Sequence, residues 1–298
     1  MIRALLLDLG DTLIDSDNKV LPGVQDALGV LETFETGDHQ PLVLCLVSDF
    51  TMPEPRTAAA IAAAFADYLH VLDETGLRPF FEPVDERVTL STHVGVNKPA
   101  AAVFEAALKR AKVHAPITEA MFITENAGHV AACRKLGMTA LQFGEDFKAW
   151  SAAPLLISQK IGAPGSKNSE AVFRPGLAAD HGLQLQSIDS ISPDRIRGTA
   201  RNLVKLSAPE LGSLDGVHVE LPVDIEASID SAGRITEVQA NPRPGDVAEA
   251  VQQVRTLTAN RQVADAAADP TSPVLPTHRL ETDAQGRRIL RRRRFTAW

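Results

Sequence analysis

The feature that most constrains the fold is an alternation, within residues 1–150, of short continuous apolar runs with amphipathic helical patterns. Continuous apolar runs are typical of parallel strands that helices bury on both faces. This order predicts an α/β domain with a doubly wound parallel sheet. The predicted strands cover residues 3–7, 42–47, 88–91, 121–123 and 139–143, and the predicted helices cover 23–35, 55–73, 100–111 and 127–136, the last closed by Gly137.

The second half of the chain has a different pattern, in which apolar residues alternate with polar ones. Residues 223–229 and 234–238, and again 277–282 and 287–295, flank short turn sequences, which predicts two β-hairpins. We expect helices at 193–206 and 245–263, and a loop at 264–276. Turn-forming residues at 162–169 suggest a boundary there. The predicted organisation is therefore an α/β domain at 1–162, a linker at 163–176 and a smaller α+β domain at 177–298.

Length and charge exclude several classes of protein. The 298 residues fit two domains, and 44% hydrophobic with 23% charged residues are globular proportions. The net charge of -8 argues against attraction of the whole molecule to nucleic acid or an anionic membrane. The acidity lies in the first half, where residues 1–160 carry 13 basic and 21 acidic side chains.

The two cysteines and the N-terminal sequence indicate a cellular compartment. Cys45 and Cys133 lie in apolar or helical patterns, without the spacing of a disulfide or zinc framework. The N-terminal apolar run is short for a signal peptide and is interrupted by Asp8, and no stretch reaches the roughly 18 apolar residues of a membrane span. We therefore expect a cytoplasmic protein without a membrane partner.

Polar residues follow the predicted strands at the positions where doubly wound sheets bind ligands. Asp8 follows the first strand, Ser48 ends the second, Lys98 precedes a helix, and Glu125 follows the fourth strand. A carboxylate, a hydroxyl, a cation and a second carboxylate together suit a phosphoryl group and a hard divalent ion.

Four segments in order resemble the motifs of the haloacid dehalogenase (HAD) superfamily. They are Asp8-Leu-Gly-Asp-Thr-Leu13, Leu46-Val-Ser-Asp49, residues 97–108 beginning Asn97-Lys-Pro, and Phe122-Ile-Thr-Glu-Asn126 with Arg134-Lys-Leu-Gly-Met138. The resemblance covers residues 1 to 150, whereas residues 163–298 resemble no family that we can name. It implies an HAD-like Rossmannoid fold and a phosphatase-like hydrolase.

The resemblance also implies a role for each matching residue. Asp8 would attack phosphorus and form an aspartyl-phosphate that water then cleaves. Thr12 and Ser48 would hydrogen-bond phosphate oxygens. Lys98 would neutralise the phosphoryl charge and hold the nucleophile.

A magnesium ion is implied as the cofactor, held by the Asp8 carboxylate, the Gly10 carbonyl and Glu125. Two departures from the family pattern bear on the chemistry. Gly10 stands where a second aspartate usually acts as general acid and base, a function worth about 10² to 10⁴ in rate. Thr124 and Glu125 stand where an acidic pair is common, and Thr124 removes one of the two charges next to the ion.

These departures leave three readings of the function. The first is a magnesium-dependent hydrolase of phosphoric monoesters or acyl phosphates, whose missing acid Asp11, metal-bound water or an acidic leaving group would replace. The second is a binding or regulatory protein with little catalysis. The third is a phosphatase acting on nucleic-acid ends. Dehalogenation is a weaker chemical alternative, because the acidic site suits magnesium rather than a halide.

The spacing of the motifs leaves no room for a cap domain. Only 34 residues separate Thr12 from Val47, and 49 separate Ser48 from Lys98, and these are needed for helices and strands. The resemblance to capless members therefore implies an open site and a phosphorylated substrate that can be large.

Each candidate residue also has a structural alternative. Asp8 could cap a turn, and Ser48 with Asp49 could cap the helix expected near Pro55. Lys98 could be a solvated loop lysine, and Glu125 a solvent-facing helix residue. His129 is interpreted as a surface residue without a role.

An arginine cluster lies near the C-terminus. It comprises Arg287, Arg288 and Arg291 to Arg294, with Phe295 and Trp298. It could bind an acidic partner or nucleic-acid phosphates, or contact the acidic first domain. The favoured interpretation is a solvated edge strand that charge protects from aggregation, so nucleic acid is not an expected partner.

Overall fold

The computed structural model describes residues 1–161, 167–192, 194–230, 233–264 and 276–293. The chain forms two compact units, one of residues 1–173 with 230–234 and one of residues 174–229 with 235–298. Each unit has its own sheet, parallel in the first and mixed in the second. No helix among the described residues has both the length and the apolar character of a membrane span.

The first unit contains the predicted five-stranded parallel sheet, in the order β3-β2-β1-β4-β5. Its strands are β1 Ala4–Leu7, β2 Val43–Ser48, β3 Val88–Leu90, β4 Ala120–Thr124 and β5 Thr139–Gln142. In β1, Leu5 and Leu7 pack into one hydrophobic core, whereas Ala4 and Leu6 pack into another on the opposite face. Burial on both faces explains why the strand is continuously apolar, and it confirms the doubly wound α/β class.

The helices of this part of the chain are α1 Val24–Leu31, α2 Ala58–Glu74, α3 Val84–Arg87, α4 Ser91–Val94, α5 Ala101–Arg110, α6 Ala127–Lys135, α7 Ala153–Ile161 and α8 Lys167–His181. Of these, α1, α2, α5 and α6 lie close to the predicted positions, and the other four were not predicted. Short 3₁₀ turns lie at 78–81, 117–119 and 150–152. Gly137 adopts φ 80° just after α6, a left-handed conformation that glycine tolerates and that commonly ends helices.

The linker predicted at 163–176 is wrong for its described part, because residues 167–176 belong to α8. The side-chain amide of Asn168 accepts a hydrogen bond from the backbone N–H of Glu35 at 2.8 Å and donates to its carbonyl at 2.7 Å. Phe173 is also buried. These tertiary contacts hold a segment whose composition favours turns, and the boundary between the units falls after residue 173 rather than 162. Residues 163–166 lie outside the described residues.

The second unit has the α+β composition that the sequence predicts. Its elements are β6 Gln184–Ser192, β7 Arg195–Lys205, β8 His218–Ile229, β9 Ile235–Pro242, α9 Pro244–Ala259, β10 Val263–Ala264, β11 His278–Thr282 and β12 Arg288–Arg292, with a 3₁₀ segment at 209–214. The strand order is β10-β11-β12-β8-β7-β6, and β9 also pairs with β8. The antiparallel pairs β8–β9 and β11–β12 confirm the two hairpins.

The helix predicted at 193–206 is wrong, because residues 195–205 form strand β7. Ile196, Gly198 and Ala200 are buried and alternate with more exposed residues, which is the period of a strand. Pairing with β8 along the whole strand and with β6 on the other side overrides the helical propensity of the sequence. Residue 193 and the loop residues 265–275 lie outside the described residues.

The arginine-rich strand β12 is not an edge strand, so that interpretation is wrong. It pairs with β11 along its length and with β8 at Ile289. Arg287 forms an ion pair with Asp283 at 2.7 Å, and Arg288 donates to the carbonyl of Ser213 at 2.6 Å. Arg294, Phe295 and Trp298 lie outside the described residues.

Candidate active site

The candidate site lies at the carboxyl edge of the parallel sheet. Leu7 of β1 is paired with Leu46 of β2 and with Ile123 of β4, so the residues that follow these positions meet at one edge. One pocket of about 390 Å³ opens there. Five of the six predicted site residues line it, namely Asp8, Gly10, Ser48, Lys98 and Glu125.

A buried ion pair is at the centre of the site. The Nζ of Lys98 lies 2.5 Å from the Oδ2 of Asp8, and the two side chains are 2% and 11% exposed. The same Nζ donates to the carbonyl of Val47 at 3.0 Å and lies 5.5 Å from the centroid of the Phe122 ring. The backbone N–H of Lys98 donates to Oδ1 of Asp49 at 2.9 Å, which anchors the loop. Lys98 is therefore not a solvated loop lysine.

The Asp8 carboxyl group is held by charge and by two further hydrogen-bond donors. Its Oδ1 accepts from the N–H of Leu9 at 3.0 Å, and the Oγ1 of Thr124 lies 3.0 Å from its Oδ2. Burial raises the pKa of Asp8, the nearby charge of Glu125 raises it further, and the ammonium of Lys98 opposes both. Asp8 is thus a buried carboxylate aimed into a pocket rather than a turn cap.

Thr12 holds Glu125 rather than lining the pocket. Its hydroxyl donates to Oε2 of Glu125 at 2.7 Å and accepts from the backbone N–H of Glu125 at 3.1 Å. Thr12 is fully buried. The Oγ1 of Thr124 also lies 3.1 Å from Oε2 of Glu125, so its single proton is shared between this oxygen and Asp8. Phosphate binding by Thr12 stays a prediction, and the observed role of its hydroxyl is to orient Glu125.

Ser48 is hydrogen-bonded to a residue that the sequence did not suggest. Its Oγ lies 2.8 Å from the phenolic oxygen of Tyr68, which α2 contributes, and both side chains are buried. Burial raises the pKa of Tyr68, so the phenol keeps its proton. The helix α2 is capped instead by Thr57, whose side chain accepts from the N–H of Ala60. The capping role considered for Ser48 is therefore wrong.

The oxygen donors of the pocket are of the kind that magnesium prefers. The carboxylates of Asp8 and Glu125 line the same pocket as the exposed backbone of Gly10. Within the described ranges no group of three His, Cys, Asp or Glu side chains could hold a metal. Magnesium commonly uses one or two carboxylates and keeps several waters, so this donor set fits it chemically.

The pocket also contains Asp11, which lies within the first motif, and His129, which the sequence placed on the surface without a role. Asp11 lines the pocket with a left-handed φ of 50°, and His129 reaches it from the first turn of α6. That turn is fixed by Asn126, whose side chain accepts from the N–H of His129 at 3.1 Å. The one signal for Tyr68 is that it is the sole tyrosine of the chain.

Comparisons with known proteins found structural similarities only. No protein-family model and no curated protein matches the chain. An uncharacterized protein from Corynebacterium glutamicum is 17% identical, with 56% of this chain and 99% of that one covered and a TM-score of 0.33. The putative HAD-hydrolase YfnB from Bacillus subtilis, bound to magnesium, is 17% identical over 44% of this chain and 47% of its own, with a TM-score of 0.32.

A third similar structure is L-2-haloacid dehalogenase from Xanthobacter autotrophicus, at 14% identity, 55% and 85% coverage, and a TM-score of 0.34. The matched region thus spans about half the length of the Bacillus subtilis protein. With identities of 14% to 17% and TM-scores of 0.32 to 0.34, these similarities do not assign an activity to the chain.

Proposed function

We propose that the chain is a hydrolase of the HAD superfamily that cleaves phosphoric monoesters or acyl phosphates through Asp8. The observation that carries this proposal is the buried pair of Asp8 and Lys98 at the carboxyl edge of a parallel sheet, facing an open pocket. Ser48 and Glu125 line the same pocket. This set of groups matches what a covalent phosphoryl transfer requires.

Asp8 is the nucleophile of the proposed reaction. Its carboxylate attacks phosphorus while the bond to the leaving oxygen breaks, and water then cleaves the resulting aspartyl-phosphate. Lys98 stabilises the ionised carboxylate against the effect of burial, and the Leu9 N–H with the Thr124 hydroxyl orients it. Orientation of this kind lowers the entropic part of the barrier.

The phosphoryl oxygens need donors and positive charge. The oxygens of Ser48 and Tyr68 lie 2.8 Å apart, so if the phenol donates to Ser48, the Ser48 hydroxyl proton is free for a phosphate oxygen. Asp8, the Gly10 carbonyl and Glu125 would hold magnesium. When bound, the ion supplies positive charge that reduces repulsion between a phosphate dianion and the two carboxylates.

The open pocket supports a large phosphorylated substrate. Within the described residues 8–42 the helix between β1 and β2 is α1, and residues 49–87 contain α2 followed by short turns and α3. Neither connection forms a separate lid. A phosphorylated group on a macromolecule is therefore compatible with access to Asp8.

The test is phosphate release, with magnesium, from a panel of phosphomonoesters and acyl phosphates. We expect turnover by the unsubstituted protein and loss of nearly all of it in Asp8→Asn. Asp26→Asn, an exposed position on α1, is the matched control and should retain full activity. Turnover that persists in Asp8→Asn would refute the assignment.

A binding or regulatory protein that keeps this fold is the second candidate. It is favoured by Gly10, which has no side chain that could act as an acid, and by Thr124 in place of a carboxylate. Magnesium-dependent turnover that Asp8→Asn abolishes would eliminate it. Processing of nucleic-acid ends has less support, because Arg287 of the arginine cluster is already paired with Asp283.

A further inference from the structure

The proposed reaction lacks an obvious proton donor. The leaving oxygen of an alkyl phosphate is strongly basic and must be protonated as it departs. Gly10 has no side chain, and apart from its two chain neighbours no heavy atom lies within 4 Å of the position that a Cβ would take. The ammonium of Lys98 is committed to Asp8 and to the carbonyl of Val47. A side chain that donates this proton is therefore another group in the pocket.

Most titratable groups of the pocket are already engaged. Those that line it are Asp8, Asp11, Asp49, Tyr68, Lys98, Glu125 and His129. The phenol of Tyr68 is hydrogen-bonded to the hydroxyl of Ser48 at 2.8 Å. Asp49 accepts the backbone N–H of Lys98 at 2.9 Å, and Oε2 of Glu125 accepts from Thr12 at 2.7 Å. Asp11 and His129 are the two that remain as proton donors.

His129 has an orphaned ring nitrogen. Its Nδ1 is buried and has no hydrogen-bond partner among the described residues, although the residue as a whole is half-buried. Unsatisfied buried polar atoms are uncommon in proteins, and a catalytic role is one of the explanations for them. Because Nδ1 is enclosed, the nitrogen left to contact a ligand is Nε2.

The position of His129 is fixed by its backbone. The N-cap Asn126 accepts the N–H of His129 at 3.1 Å, and the preceding Glu125 is held by Thr12 and by the side-chain amide of Gln142. The first turn of α6 therefore presents the imidazole at the pocket from a rigid element. Imidazole is the side chain that most often transfers protons in catalysis near neutral pH.

We propose that His129 is the general acid and base of this site, in a role that rests on the proposed hydrolase function. In the first step a bond forms between an Asp8 oxygen and phosphorus, and the bond from phosphorus to the leaving oxygen breaks. The leaving oxygen keeps the electron pair of that bond and takes the Nε2 proton of His129, so the alcohol departs neutral. His129 enters this step as the imidazolium and leaves it as the neutral ring, with its remaining proton on Nδ1.

The second step restores both residues. The oxygen of a water molecule bonds to phosphorus and passes a proton to Nε2 of His129. The bond between phosphorus and Asp8 breaks, and its electrons return to the carboxylate. The sum is the conversion of a monoester and water to an alcohol and inorganic phosphate.

The experiment compares two leaving groups in His129→Gln, which keeps a polar side chain but cannot act as an acid. With magnesium present, 2-phenylethyl phosphate has a basic leaving group, whereas 4-nitrophenyl phosphate has one that departs without protonation. We expect kcat to fall by about 10² to 10⁴ for the alkyl ester and by less than about 10-fold for the nitrophenyl ester. His114→Gln, at an exposed histidine, is the control.

Several outcomes would overturn the inference. Equal losses for both esters would indicate a structural or positioning role, and no loss for either would remove the role altogether. A loss specific to the alkyl ester in Asp11→Asn, but not in His129→Gln, would transfer it to Asp11. If Asp8→Asn is inactive while His129→Gln is unaffected, this inference alone fails. Turnover in Asp8→Asn, or none in the unsubstituted protein, would overturn the proposed function and this inference together.

Discussion

Substitution of Lys98 by methionine should leave Asp8 as a buried charge without a partner. At the 2.5 Å separation of Nζ and Oδ2, with an effective dielectric constant of about 20, the direct attraction is about 7 kcal/mol. Desolvation of both groups offsets much of this attraction, because the side chains are 2% and 11% exposed. Removal of one partner of such a pair typically costs about 3–5 kcal/mol, and we expect Lys98→Met to lower the free energy of unfolding by that amount.

A double-mutant cycle isolates the pair from the packing of each side chain. Asp8→Asn should also be destabilising, since it strands the ammonium of Lys98. The double variant Asp8→Asn/Lys98→Met should be no less stable than the less stable of the two single variants, because neither charge is then left unpaired. The reasoning would be refuted if the two single losses simply added.

The assay is urea unfolding followed by the fluorescence of Trp150. This residue is fully buried in the first unit, where it packs against Phe143 and Phe147. The other tryptophan, Trp298, is replaced by phenylalanine in every variant so that the signal reports one unit. The free energy of unfolding is compared at about pH 7, where an exposed aspartate is ionised.

The pH dependence gives an independent check of the cause. Burial raises the pKa of Asp8 above the ordinary 3.8, and loss of the opposing Lys98 charge should raise it further. A carboxyl group whose pKa is higher in the folded than in the unfolded protein lowers the free energy of unfolding at pH values above the folded-state pKa. This loss of stability disappears as the pH falls through the folded-state pKa, because the group is then protonated in the folded protein. The deficit of Lys98→Met should therefore shrink in acid, between the raised pKa and 3.8, whereas that of Asp8→Asn should not.

Three further results are expected. Burial raises the pKa of Cys45 to about 12 and that of Cys133 to about 11. An aromatic disulfide reagent at about pH 8 should therefore label neither thiol in the native protein and both in urea. Rapid labelling of the native protein would contradict this. In Gly198→Ala the added Cβ would lie 2.1 Å from the carbonyl oxygen of Ser187, so strands β6 and β7 must separate at a cost of about 1–3 kcal/mol. Thermal unfolding followed by circular dichroism measures this loss of stability. An unchanged unfolding midpoint would show that the strands adjust freely. Burial, with the charges of nearby arginines, lowers the pKa of His93 to about 4. Its ring resonances in proton NMR should therefore not shift between about pH 5 and 8. A titration midpoint near 6.5 would show that the ring is solvated.

The first unit could be predicted from sequence because its strands are buried on both faces. Leu5 and Leu7 face one core and Ala4 and Leu6 the other, which requires an uninterrupted apolar run. Strand β7 could not be recognised in the same way. Its residues 195–205 combine period-two burial with many helix formers, and pairing with β6 and β8, which are formed by other parts of the chain, decides the outcome.

The site was predictable to the extent that it depends on strand ends. Asp8, Ser48 and Glu125 were found because parallel strands end at one edge, and Lys98 because of the motif around it. The direction of a side chain within that edge depends on tertiary packing. The hydroxyl of Thr12 is engaged by Glu125 at 2.7 Å, which no spacing in the sequence reveals.

Residues 124–129 connect the three functions proposed for the site. Thr124 donates towards Asp8, Glu125 is fixed by Thr12, and His129 is held by the cap of α6. Because these contacts arise within six consecutive residues from the end of β4 to the first turn of α6, a displacement of this segment would move the nucleophile's donor, the proposed metal ligand and the proposed acid together. A substitution at Thr12 should therefore act on metal affinity and on leaving-group dependence at once, even though its own side chain lies outside the pocket. Coupling of this kind favours rigid elements over loops as the support of a site whose groups must align within a fraction of an ångström.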